Sequence, residues 1–459
     1  MATGFGKLLV SRFMGIRLLP GQVVALAAMA LILLGACLLL LPFATPPGTD
    51  MGILDALFTA TSAVCVTGLI VMDTPHDFTL FGQWVILFLI QVGGLGYALM
   101  ATLILLVLGR RLGLRDRMML TETLNTLDMQ GLVRFVKMVA LITFTLEGLG
   151  AAILTIRFAQ EFPWNTALYF GTFHAISAFN NAGFALFSDS LIPFQTDWTM
   201  NLTITTLIIL GSIGFLVFED LLDNYHRRRF RLRTHTKLVV ITTIFLIVGG
   251  TFGIALLEWN NPETFQSLSV GEKLTISYFQ SVSRTAGFST IDVGDMQDAT
   301  LYTLLLLMAI GGSPGSMSGG IKTTTIAIVV LTVWSTLRRD SDVEVFHRRI
   351  PQDLVTQALC LTIMALGLIT GMTLLLSSIE SQPFLSLMFE VTSAMGIVGM
   401  SLGNGEARSF SALLTDFGKV MIMICMLLGR FGPLLIGLFA VKTSVHKPYR
   451  LAKGRVVIG

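Results

Sequence analysis

The sequence predicts an all-α integral membrane protein: four tandem repeats of helix, half-helix and helix around a central pore. Three observations predict it. Of 459 residues, 53% are hydrophobic and only 13% charged, which places the chain among membrane proteins. Eight apolar runs are each long enough to cross about 30 Å of hydrocarbon as a helix. Four short loops, SAVCVTGL (62–69), SAFNNAGF (177–184), SVSRTAGF (281–288) and SAMGIVGM (393–400), align without a gap, with serine first and glycine six residues on.

The apolar runs cover roughly 22–42, 82–109, 138–156, 199–218, 238–257, 299–337, 354–379 and 420–441. Between them, segments such as ILDALFTATS (53–62) and FLSLMFEVTS (384–393) are apolar yet too short to cross, so they read as re-entrant half-helices. Most of the 31 basic residues fall in 1–20, 109–137, 227–237, 338–349 and 442–455. By the positive-inside rule these stretches face the cytoplasm, so eight helices span and both termini lie inside. The opposite loops hold Arg157, Lys273, Arg408 and Lys419 among many acids, including Asp73, Asp77, Asp189, Asp197, Asp292, Asp295 and Asp298. Such an outer surface concentrates cations, although any one of these acids also serves simply to solvate its loop. The repeats then occupy 1–110, 130–226, 235–338, with a broken second helix, and 350–447, followed by a cytoplasmic tail at 448–459. Cys37, Cys65, Cys360 and Cys425 show no CxxC spacing and read as structural thiols. The first apolar run is too long for a cleaved signal.

Non-helical backbone at membrane depth survives only where it is buried or lines a water-filled path, so the four loops are expected to converge on one axis. Glycine at a fixed position allows backbone angles closed to other residues, and successive carbonyls can turn toward a common centre. A ring of carbonyl oxygens replaces a cation's hydration shell, and the negative ends of the half-helices point the same way. Glycine also permits tight helix packing, but four copies in register favour the ring.

The stretch GGSPGSMSGGIKTTT (311–325) interrupts the second helix of the third repeat. It is not a nucleotide-binding loop, because Ile321 separates Gly320 from Lys322. Gly311, Gly312, Gly315, Gly319, Gly320 and Pro314 remove helix propensity, while Ser313, Ser316 and Ser318 offer hydroxyls to the freed backbone around Met317. A loop broken at that depth lines a cavity and is able to sit across a pore. A kinked helix with Lys322 snorkelling to the cytoplasm is the plainer alternative. Arg430, within LGRFGPL of the last helix, is expected to donate hydrogen bonds to the loop's carbonyls when the loop lies across the cavity.

This four-fold pattern resembles the Trk, Ktr and HKT superfamily of potassium transporters, its bacterial Ktr branch most of all, over nearly the whole chain. The resemblance implies a potassium-channel-like fold and a selectivity filter at Gly68, Gly183, Gly287 and Gly399. The residues before these glycines would supply the coordinating carbonyls: Val64, Cys65, Val66 and Thr67; Asn180, Asn181 and Ala182; Arg284, Thr285 and Ala286; Gly396, Ile397 and Val398. It also implies that 311–320 is the gate, that the protein is a homodimer with one pore per subunit, and that a cytoplasmic nucleotide-binding ring regulates it. Sodium-preferring plant members carry serine at the first filter position, where this chain has Gly68, so potassium is the implied ion. With one matching glycine per repeat, fewer ion sites and looser selectivity are expected than from TVGYG filters.

Arg284 is expected to point behind the filter and pair with Glu390 or Asp55. Glu147, alone in an apolar span, reads equally as a functional carboxylate or as a protonated, helix-bonded one. The basic stretches 109–137 and 227–237 suit an acidic protein or anionic lipid headgroups, or serve only topology. An alternating-access symporter coupling potassium to sodium or protons would also use broken helices, but the repeats here run in one orientation rather than inverted. Sodium as an activator, or a less selective sodium and potassium pore, is compatible with the same residues. No zinc motif, nucleophile elbow or phosphate loop occurs, and nothing suggests an enzyme, a covalently bound cofactor or nucleic-acid binding. Nucleotide is expected only on the partner subunit.

Overall fold

A computed structural model describes residues 11–13, 16–18, 20–96, 99, 132–227, 231–340, 342–403, 405 and 408–440. The expected basic stretches 1–20, 109–137 and 442–455 and the tail lie largely outside the described residues, as do Arg228 and Arg229 of the 227–237 stretch.

The described chain is mostly helical, and its helices recur in one order. The outer helices are Pro20–Leu39, Leu132–Phe158, Thr234–Glu258 and Gln352–Ser377. The half-helices are Ile53–Cys65, Trp164–Phe179, Val270–Ser283 and Phe384–Gly396. The inner helices begin at Leu80, Trp198, Asp298 and Asp416. Local chemistry sets these starts. Proline stands at the cap of the second and fourth half-helices (Pro163, Pro383), where a missing N–H costs nothing. The third half-helix opens with a reciprocal Ser269–Glu272 capping box, and Asp197 caps an inner helix by accepting from Met200 N–H at 3.0 Å.

Three described helices, all outer ones, are singly long and apolar enough to cross a membrane: Val133–Phe158, Thr234–Glu258 and Gln352–Ser377. The first three inner helices end or bend within the span, whereas the fourth runs unbroken as Asp416–Ala440. The first stops at Leu95, with Gly96 at φ 79°; apart from Leu99, the rest of the run expected to 109 lies outside the described residues. The second, expected as one run over 199–218, turns by 89° at Gly214 and continues as Phe215–Arg227. The third stops at Ala309 and resumes at Thr323. A small hairpin, Glu344–Val345 with Arg348–Arg349, joins the third unit to the last outer helix.

The half-helices form the core. Phe58, Phe173, Phe279 and Phe389 on them are wholly buried, and the exposed apolar residues lie mainly on the long helices, as lipid contact requires. Cys65 and Cys425 are buried free thiols, whereas Cys37 and Cys360 are exposed on outer helices.

Candidate functional site

The half-helices end three or four residues before the four aligned glycines, whose φ values are 95° (Gly68), 72° (Gly183), 74° (Gly287) and 88° (Gly399). In the first, second and fourth units the turn is a Schellman closure. Thr67, Ala182 and Val398 N–H donate to the serine carbonyl five residues back (2.8, 2.8 and 3.0 Å), and Val66, Asn181 and Ile397 take the left-handed conformation. Two of those three are β-branched, a costly choice that only a tightly determined site sustains. The third unit differs: Ala286 and Gly287 N–H both donate to Ser283 O at 2.9 Å, and Thr285 is not left-handed.

The glycines interlock. A side chain on Gly68 would strike the Ala182 carbonyl oxygen; one on Gly183 would strike that of Ala286; one on Gly287, that of Val398; one on Gly399, that of Thr67. Each glycine is thus filled by the carbonyl that precedes the next, and the circuit closes. Four carbonyls on a ring without side chains, approached by four helix C-termini, form an environment that stabilises a cation and excludes bulk.

Hydroxyls hold the ring from behind. Ser62 and Ser393 accept from the N–H of Gly68 and Gly399 at 3.0 and 3.1 Å, and Ser177 donates to Phe184 O at 2.7 Å. In the third unit the residue in register, Ser281, bonds the outer helix at Ile247 O instead (2.8 Å), and Ser283 donates to Phe288 O at 2.5 Å. The six-residue serine–glycine spacing therefore marks a shared position but not one shared role. Glu390 accepts from Ser401 and Ser411, Gln280 donates to Ser289 at 2.6 Å, and buried His174 accepts from Leu186 N–H at 3.3 Å. These anchors of the segment after the glycine were not singled out from sequence, except Glu390. His174 and Glu390 both stand nine residues before their glycine, a spacing that would have found them.

Arg284 does not pair with Glu390 or Asp55. Glu390 is satisfied by serines, and Asp55 pairs with Lys419 at 2.9 Å. The Arg284 guanidinium instead donates to the carbonyls of Leu307, Ile310 and Gly311, where the third inner helix breaks. Glu147 is buried and accepts from Gln91 at 3.2 Å and Asn180 at 3.0 Å, so it ties the second unit to the first inner helix.

The segment 310–322 folds back as a loop. Ile310 and Ile321 form a parallel bridge, Ser313 and Met317 N–H donate to Ser212 O and Gly211 O (2.9 and 3.1 Å), and Phe215 N–H donates to Gly315 O at 3.0 Å. Gly312 N–H reaches Ser318 Oγ at 3.0 Å, Ser316 donates to Ser313 O, and Lys322 donates to Ser318 O at 2.7 Å rather than extending away. Gly319 lies against the Ile397 side chain, and a side chain on Gly311 would strike Gly319 O. Arg430 donates to Met317 O and also to Gly93 O and Gly94 O, joining the last inner helix to the loop and to the first inner helix. Pro314 and Gly320 complete the two bends of the loop, Gly320 with φ 71°.

At the outer end, a cavity of about 390 Å³ lies between the first and fourth units, lined by Asp50, Asp55, Asp77, Arg408 and Lys419 among others. Arg408 pairs with Asp77 at 3.3 Å, and Arg157 with Asp197 and Glu161. The outer cations are thus largely engaged. Desolvation, together with Asp292 and Glu263, holds the Asp295 carboxyl above its ordinary range. Among the described residues no group of three or more His, Cys, Asp or Glu side chains could hold a metal ion.

Residues 22–447 match the model of a family described as cation transport protein, TrkH. The chain is 40% identical to Ktr system potassium uptake protein B of Bacillus subtilis, over 97% of this chain and 98% of that one. It is 35% identical to potassium/sodium uptake protein NtpJ of Enterococcus hirae, over 96% and 98%. The crystal structure of the potassium transporter TrkH from Vibrio parahaemolyticus superposes with a TM-score of 0.71 at 20% identity, covering 92% of this chain and 85% of that one, and shares the fold.

Proposed function

The chain belongs to the TrkH family of cation transport proteins, and on that premise we propose that it takes up potassium through the four-glycine ring, with the 311–320 loop as the gate. The observation that carries the reading is the closed circuit in which each glycine receives the next unit's carbonyl. Such a ring offers backbone oxygen alone to an ion that has shed water. The loop, clamped by Arg430 and by the bent second inner helix, stands next to Ile397 of the ring and closes the path. Lys322 beside it adds positive charge that opposes a passing cation until the loop moves.

Uptake into liposomes of purified protein tests this. Potassium and rubidium entering well ahead of sodium and lithium is the expected result; equal entry of all four rejects a selective ring. The name of the Enterococcus hirae relative, which includes sodium, favours a second reading in which sodium also permeates. Adding external sodium to the potassium assay tests sodium as an activator.

The same reading places four units at 1–110, 130–226, 235–338 and 350–447. It makes the protein a multi-pass component of the plasma membrane with both termini cytoplasmic, and a homodimer resting on a nucleotide-binding regulatory ring. A relative named for a Ktr system supports a further subunit. Co-purification with such a ring, lost on charge reversal at Arg227, Arg228 and Arg229, is expected if the basic stretch docks it.

A further inference from the structure

Arg284 is a buried cation, 3% exposed, with no carboxylate partner among the described residues. Its partners are all carbonyls at one place, the C-terminal end of the upper half of the third inner helix: Leu307 O at 3.5 Å, Gly311 O at 3.4 Å and Ile310 O. A helix that stops inside a membrane leaves its last carbonyls without donors and with a partial negative charge, so a guanidinium there satisfies both needs. The same residue stands three positions before Gly287, and two before Ala286, whose carbonyl fills Gly183. Thr285, between them, donates to Asn181 Oδ1 of the second unit at 3.0 Å.

One side chain therefore has its backbone in the ring and its charge on the hinge of the loop. The fourth unit touches the same hinge, since a side chain at Gly396 would come within 2.6 Å of Met308 O. When the loop swings, the peptides of Ile310 and Gly311 turn. Arg284 then follows them or stands unpaired at low dielectric, which is the costlier course. Following them displaces Thr285 and Ala286.

We infer that Arg284 is a positioning residue that couples the loop to the ring, so that the position of the loop sets how strictly the ring discriminates between potassium and sodium. The inference rests on the ring-and-loop reading above. It predicts more than a structural brace would, because a brace alone fixes selectivity at one value whatever the loop does.

The test is a double-mutant cycle on the full chain in liposomes without regulatory partner, reading the potassium-to-sodium flux ratio. Deleting 314–318 in the native background should raise potassium flux and lower the ratio by about three- to tenfold, the lower part of the range of coupling between contacting groups. In Arg284→Gln the same deletion should raise flux and leave the ratio unchanged. An equal change of ratio in both backgrounds, or none in the native one, overturns the coupling while leaving the gate intact. Flux that does not rise on deletion overturns the gate and the coupling with it. If Arg284→Gln fails to fold, Arg284→Lys serves: it keeps the charge but lacks the forked donors, so a smaller change of ratio supports the coupling and an undiminished one overturns it.

Discussion

Gly399 abuts the carbonyl of Thr67, so the last unit closes directly on the first. The same seam carries Lys419 on Asp55, Arg408 on Asp77, Ser409 on Ile70 and Arg430 on Gly93. A chain whose two ends must meet to complete a ring needs such fastenings, since no covalent connection joins them.

The crowding at Gly68 separates two effects of substitution. Gly68→Ser places a side chain on the Ala182 carbonyl, so the potassium-to-sodium flux ratio should fall by roughly tenfold while the protein still folds. Gly48→Ala is the control: its φ of 94° is equally left-handed, but nothing lies within 4 Å. It should cost about 1–2 kcal/mol of stability and leave the ratio unchanged. An unaltered ratio in folded Gly68→Ser removes the ring from selectivity.

Arg430→Ala deletes donors to Met317, Gly93 and Gly94 together. With charge-assisted bonds worth about 1.5–3 kcal/mol each, the closed loop loses enough to raise partner-free potassium flux by an order of magnitude or more. A rate no higher than that of the native protein would show that Arg430 does not hold the loop shut.

The serines distinguish position from role. Ser283→Ala and Ser393→Ala remove bonds to Phe288 O and Gly399 N–H, and both should lower the flux ratio. Ser281→Ala releases only an outer-helix carbonyl and should lower thermal stability without touching the ratio. Equal effects from Ser281 and Ser283 would contradict this assignment.

Glu147 is held by two amides, so Glu147→Gln should keep flux within about twofold, whereas Glu147→Leu strands Gln91 and Asn180 and should cost about 1–3 kcal/mol. Loss of flux in well-folded Glu147→Gln would mark a carboxylate needed for transport itself.

Much of this architecture is legible in the sequence because membrane burial is strict: apolar runs must be long, and broken ones must line something. The four glycines stand out because one spacing recurs in four hydropathy contexts. What is not legible depends on directions that spacing does not carry. The Ser281 and Ser283 hydroxyls are two residues apart on one helix and face different neighbours. Charge invites charge, so the sequence points Arg284 toward acids, but the nearest orphaned groups are the carbonyls of a helix end. The 89° turn at Gly214 hides inside GSIGF, where small residues in an apolar run look like ordinary helix packing.

That turn gives the loop a lever. Phe215 N–H, at the elbow, donates to Gly315 O, so the 13-residue helix Phe215–Arg227 starts where the loop is tied. At 1.5 Å per residue the arm is about 20 Å long. A push of about 5 Å at its far end, near the exposed Tyr225, turns the elbow by roughly 15°. A force applied near Tyr225 would thus arrive at the loop as torque.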